Sequence, residues 1–165
     1  MDLKTPAISM RPGKIIQSQN VEQKVSGGYQ RILGYEKYDT TVVPGSGAIL
    51  GVWRYSGKVY AFRANVAGTA VDMHSSQGAG WTSEKTGLAL AGKYEFVNAN
   101  FAGTFKMYGV SGTHKGFEWD GTAWADITTG VAVDTPEHLI AHKKHLFYSY
   151  GHSVQHSSTG VPTTW

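Results

Sequence analysis

From residue 48 onward the chain alternates apolar and polar positions in short runs, each broken by two turn residues. Ile49–Tyr55 and Lys58–Phe62 flank Ser56-Gly57. Phe96–Phe101 and Thr104–Tyr108 flank Ala102-Gly103, and His138–His142 and His145–Tyr148 flank Lys143-Lys144. Runs rich in β-branched and aromatic residues on either side of such a turn predict three β-hairpins, the third with a less typical turn. Each hairpin is followed by a strand-like stretch and then a tryptophan. Val71–Ser76 leads to Trp81, Gly116–Gly121 to Trp124, and Ser153–Ser158 to Trp165.

The order of these features repeats as well as their spacing. Tyr55, Phe101 and His142, each just before its turn, are 46 and 41 residues apart, and the three tryptophans are 43 and 41 apart. His74-Ser75-Ser76 returns as His156-Ser157-Ser158. A period in the low forties with about four strands per unit is the mark of a propeller blade. The expected fold class is therefore all-β, with propeller-like antiparallel blades at 48–92, 93–134 and 135–165. A β-sandwich whose hairpins fall at similar intervals is the plainer alternative. One blade cannot bury both faces alone, so neighbours stack, and Trp81, Trp124 and Trp165 are expected to serve as the repeat core. Three blades make an incomplete ring, so partner chains or further sequence are expected to complete the architecture.

Residues 1–47 lack this periodicity. Pro6, Pro12-Gly13, Gly27-Gly28, Gly34 and Pro44–Gly47 punctuate them, and polar residues fill 17–26. They predict an extended N-terminal arm with at most one or two short strands. The arm also carries the charge. Residues 1–37 hold Lys4, Arg11, Lys14, Lys24, Arg31 and Lys37 against Asp2, Glu22 and Glu36, which accounts for the whole net charge of +3. Such a segment suits a partner-binding arm or proximity to DNA, or is simply a solvated tail.

Composition narrows the classes. Hydrophobic residues make up 41% and charged residues 16%, a globular balance, and 21 glycines with 12% aromatics fit many short strands joined by tight turns. No cysteine is present, which removes disulfides, thiolate nucleophiles and Cys-based zinc sites. No apolar run is long enough to span a membrane as a helix. Met1–Pro6 lacks the basic-then-apolar order of a signal peptide, so synthesis in a cytosol is expected.

Little in the chain points to catalysis. His138, His142 and His145 stand at i, i+4 and i+7, which on a helix would make one metal-binding face. They occupy a hairpin position, however, and read better as surface or inter-subunit histidines. Ser75, Ser76, Ser157 and Ser158 neighbour histidines in sequence, but strand neighbours point to opposite faces. The acids, Asp72, Glu84, Glu95, Glu118, Asp120, Asp126 and Asp134, are scattered, and Asp120-Gly121 reads as a turn. The glycines of 45–47 and 78–80 lack the lysine and the strand-to-helix setting of a phosphate loop. Trp53, Tyr55, Trp119 and Trp124 could form a sugar platform if exposed, but in β-rich folds such residues more often build the core. No cofactor and no catalytic or metal site is expected.

Two stretches resemble a known class. Gly27–Tyr38 (GGYQRILGYEKY) is similar to the Gly-rich arm that leads into an Arg…Gly-Tyr-Glu-x-aromatic run early in many bacteriophage structural proteins. Pro136–Phe147, continued through Val154–Ser157 to Gly160–Trp165, resembles a run in propeller-containing phage tail and neck proteins, including the tail nozzle class of short-tailed phages. His145 stands where that run more often has arginine. The resemblance implies a non-enzymatic virion component of the tail or head-tail neck. Such a component assembles as a homo-oligomer, with other tail or portal proteins, into a ring around the DNA conduit. Gly27, Gly28, Tyr29, Arg31, Gly34, Tyr35 and Tyr38 are the expected assembly contact, since an irregular arm gains order by docking. A receptor- or carbohydrate-binding propeller adhesin is the alternative.

Overall fold

The computed structural model describes residues 36–165 and the backbone of two further strands, 21–23 and 29–31. The described residues are all-β, with no helix, and so with none long and apolar enough to cross a membrane. The chain divides into two units between Lys37 and Tyr38. In the first unit β1 (Val21–Gln23) pairs antiparallel with β2 (Tyr29–Arg31).

The second unit holds three sequential antiparallel sheets. The first runs β3 (Ser46–Tyr55), β4 (Lys58–Ala64), β5 (Val71–Ser76) and β6 (Trp81–Leu88). The second runs β7 (Glu95–Phe101), β8 (Thr104–Val110), β9 (Phe117–Trp119) and β10 (Trp124–Asp126). The third has β11 (His138–His142), β12 (His145–Tyr150) and β13 (Ser153–His156), with no fourth strand among the described residues. Every strand pairs with its neighbour in sequence, so each sheet is a simple meander, and no ring is closed.

All three expected hairpins form, with one turn geometry. The central residues have positive φ throughout: 47° and 80° at Ser56-Gly57, 50° and 87° at Ala102-Gly103, 46° and 64° at Lys143-Lys144. Left-handed backbone at both positions matches the right-handed twist of the flanking strands. The first two turns put glycine at the second position; the third forces two lysines into that region. The tryptophans that mark the repeat in the first two sheets open the fourth strand. Trp81 faces Ser76 of β5 and Trp124 faces Trp119 of β9.

The sheets stack through two separate cores. Tyr60, Phe62, Val71 and Met73 of the first sheet meet Met107, Phe117 and Trp119 of the second, together with Tyr94. Tyr108 and Val110 of the second sheet meet Leu146, Tyr148 and Tyr150 of the third, together with Phe101 and Ile127. Met107 and Tyr108 are neighbours on β8 and enter different cores, because alternate strand residues point to opposite faces. The middle sheet is thus apolar on both faces. Each fully buried aromatic contributes roughly 1.5–3 kcal/mol of transfer free energy. The first strands β3, β7 and β11 lie beside one another through the stack, and Tyr94 N–H donates to the Leu50 carbonyl at 2.9 Å where β3 meets the start of β7.

Candidate functional site

The stack leaves two end faces, and each is built differently. On the first sheet, Val52, Arg54, Ala61, Arg63, His74, Ser76 and Trp81 share the outer face by strand pairing. Residues 38–45 cross its outer strands as a strap. The Asp39 carboxylate accepts from Ser76 Oγ, from Gly80 N–H, and from both N–H and Oγ1 of Thr41. Those donors, the Ser76 hydroxyl foremost, hold the Asp39 carboxyl far below the usual carboxylate range. Tyr38 Oη donates to the Ser76 carbonyl, Trp81 Nε1 to Thr41 O and Arg63 to Val43 O. Under the strap Ala61, His74 and Ser76 are buried, whereas Val52 on β3 is 55% exposed.

No sheet or strap covers the outer face of the third sheet among the described residues. Ile140 of β11 pairs with Phe147 of β12, which pairs with His156 of β13; Val154 sits alongside, opposite Ser149. Ile140 is 60% exposed and Val154 66%. With Phe147 they line a shallow apolar depression of about 310 Å³ rimmed by His138 and Ser149. The β13 strand is exposed along its whole length.

The histidines fall on this same face. The segment is a hairpin, so the helical i, i+4, i+7 array does not form, yet the ladder still carries His138, His142 and His145 to one side. Their partners differ. His138 Nδ1 meets Glu95 Oε2 at 3.0 Å. His145 bonds the Ser157 carbonyl through Nδ1 and Thr159 Oγ1 through Nε2, and its ring lies 5.1 Å from that of His156. Among the described residues no three His, Asp or Glu side chains converge as metal ligands.

The serines beside histidines are tied elsewhere. Ser75 Oγ donates to Glu84 at 2.6 Å, Ser76 Oγ to Asp39, and Ser157 Oγ accepts from Leu146 N–H. Asp120 caps its own turn by accepting from the N–H groups of Thr122 and Ala123. The aromatics considered for a sugar platform pack inward. Trp119 is 1% and Tyr55 4% exposed, and Trp53 and Trp124 lie against the same core. Trp124 stacks on Phe117 at 3.7 Å, Trp165 stacks on Tyr148 at 4.7 Å, and Trp81 is half-buried outside both cores.

Of the expected assembly contact, Tyr29 and Arg31 lie on β2, and Tyr38 is an exposed strap residue. Gly27, Gly28, Gly34 and Tyr35 lie outside the described residues. Tyr38 and the Ile140–Phe147 face lie within the two stretches that carry the resemblance, but the strap's docking and the exposure of the end faces were not among the expectations. Only the polar run after Tyr38 and the alternation in His138–Tyr148 hinted at them.

Compared with known proteins, the chain matches no family model, no curated protein and no solved structure.

Proposed function

We propose that this chain is a non-enzymatic structural component of a bacteriophage tail or head-tail neck. Its three sheets act as propeller-like blades. The chain assembles with its own copies and with other tail or portal proteins into a ring around the DNA conduit. One observation carries the assembly part of this reading: among the described residues, a serial stack of sheets with both internal interfaces filled leaves an uncovered apolar face at Ile140, Phe147 and Val154. Exposed apolar residues gathered on one face mark interaction sites in soluble proteins. The phage part rests on the resemblance of Gly27–Tyr38 and Pro136–Trp165 to tail and neck proteins. The site of work would be the virion, after synthesis in the host cytoplasm.

Labelling of purified particles tests the proposal. An antibody raised against this chain is expected to decorate the tail or neck in electron micrographs, at several copies per particle. Particles of normal shape and infectivity that lack the chain would overturn it. Glycan binding that survives when assembly is blocked would favour an adhesin instead. The inward packing of Trp53, Tyr55, Trp119 and Trp124 supports the structural reading over that one.

A further inference from the structure

The sheets meet by one rule. In each pair the face pointing down the sequence packs on the upstream face of the next sheet. The repeat fixes the equivalent positions: Trp53, Ala99 and Ile140 point downstream, while Val52, Asn98 and Leu139 point upstream, at the same spacings of 46 and 41 as the hairpin turns. At the first interface Trp53 Nε1 donates to Asn98 Oδ1 at 2.9 Å. At the second, Ala99 and Leu139 pack against one core. One more step of the same operation sets Ile140 against a residue equivalent to Asn98. The upstream residue left over is Val52, and both Ile140 and Val52 are exposed.

We propose that the downstream face of the third sheet packs on the upstream face of the first sheet of a second copy. Ile140 meets Val52 of that copy, and two copies close a ring of six sheets. This deepens the assembly reading above and rests on it. The number of copies follows from geometry. Propellers close with roughly four to eight blades. Two copies of three sheets fall inside that range and three copies do not. A head-to-tail contact whose rotation closes also gives a finite ring rather than a filament.

The strap fits this arrangement. Its anchors Ser76, Gly80, Trp81 and Arg63 lie on β5, the turn after it, β6 and β4. It runs from the β5–β6 end of the first sheet to Arg63 on β4 and leaves Val52 on β3 open. The third sheet has no fourth strand among the described residues, so the strap takes the space that such a strand would fill. Tyr38 and Val42 on the strap are themselves exposed and extend the apolar surface.

The chain has no cysteine, so engineered thiols report the contact cleanly. Full-length Val52→Cys and Ile140→Cys variants are mixed under mild oxidation, and each is also oxidised alone. The expected product is a covalent dimer in the mixture, with little in either variant alone. In sedimentation, Ile140→Glu and Val52→Glu are each expected to weaken the wild-type dimer at least tenfold, while Val66→Glu, a change in an exposed turn, leaves it intact. A covalent dimer from Ile140→Cys alone would show the third-sheet faces pairing with each other and overturn the proposal. An oligomer indifferent to both charge variants would also overturn it, while leaving assembly through other surfaces standing. A wild-type chain that stays monomeric at every concentration would overturn it too. Particle labelling then decides separately whether the virion role falls with it.

Discussion

Trp53 and Asn98 are joined across the interface between the first two sheets, with the indole N–H donating to the amide oxygen at 2.9 Å. Asn98 turns its Nδ2 back to the Arg54 carbonyl at 2.9 Å, so one side chain binds two consecutive residues of β3, the neighbouring sheet's edge strand. A hydrogen bond of this kind contributes about 0.5–1.5 kcal/mol net, and leaving its partner unpaired costs about 1–3 kcal/mol. Asn98→Ala is therefore expected to lower unfolding stability by about 1–2 kcal/mol in urea titration. Trp53→Phe keeps the stacking on Phe96 and is expected to cost less.

Gly109 and Phe117 are directly paired across β8 and β9, and the phenyl ring folds back over the glycine. A Cβ at Gly109 would come within 2.2 Å of the ring's Cζ. The ring is locked between Phe62 and Trp124 and has nowhere to move. Overpacking of a filled core costs about 1–3 kcal/mol. Gly109→Ala is expected to lose that much in chemical unfolding, and a variant as stable as wild type would show that the ring is free to shift.

Much of this architecture was written in local chemistry. Ser56-Gly57 and Ala102-Gly103 fix two-residue turns, and a turn of that length sets the register of both strands beside it. The hairpins therefore emerge at the expected residues, with ends at Ala64, Val110 and Tyr150 a few residues beyond expectation. The strap was not legible. Asp39 and Thr41 read as polar arm, and their role depends on Ser76 and Gly80, about forty residues away. The burial of Trp119 was legible, since a tryptophan in a β-rich chain more often builds the core than an exposed platform. The end faces were hidden for a deeper reason. Alternation says that Ile140 and Phe147 share a side, but only the stacking order says which side stays uncovered.

Lys143 and Lys144 occupy the turn that the other two hairpins give to a residue followed by glycine, with φ of 46° and 64°. A side chain in left-handed backbone costs roughly 1–2 kcal/mol, which glycine avoids. Replacing the pair by Asn-Gly is expected to raise stability by about 1 kcal/mol with the fold unchanged. Thermal melts and urea titration check it. Both lysines are exposed, so loss of side-chain packing does not offset the gain.

Asp39 makes the strap acid-sensitive. Its carboxyl is depressed in the folded chain by Ser76, Thr41 and Gly80, so the folded state holds the ionised form more tightly than the unfolded chain does. That contribution is complete above the ordinary carboxylate value of 3.8 and fades as pH falls below it. Asp39→Asn is expected to loosen the strap at neutral pH. Amide exchange at Gly80 and emission from Trp81 should both change, while the second and third sheets stay protected. The difference from wild type should narrow as pH falls below 3.8. Equal exchange at Gly80 in both proteins at neutral pH would remove Asp39 as the anchor.

His114 gives the opposite end of the pH range a structural cause. Its Nε2 lies 3.1 Å from Tyr94 Oη, its Nδ1 2.7 Å from the Lys115 carbonyl, and its ring sits beside Phe117 and Trp124. Burial lowers its affinity for a proton below the ordinary value of 6.5; the Lys115 carbonyl and Asp126 oppose that shift without cancelling it. His74, buried under the strap near Asp72, is lowered for the same reason. A depressed histidine takes up its proton more readily in the unfolded chain. The stability it supports is therefore present above 6.5 and declines as pH falls through the folded value. Unfolding free energy is expected to be lower at pH about 5.5 than at about 7.5, on either side of the free histidine value. His114→Gln, which cannot be protonated, is expected to flatten part of that slope at some cost in stability at the higher pH. His74→Gln should remove a further share, and a slope unchanged in both variants would place the acid sensitivity elsewhere.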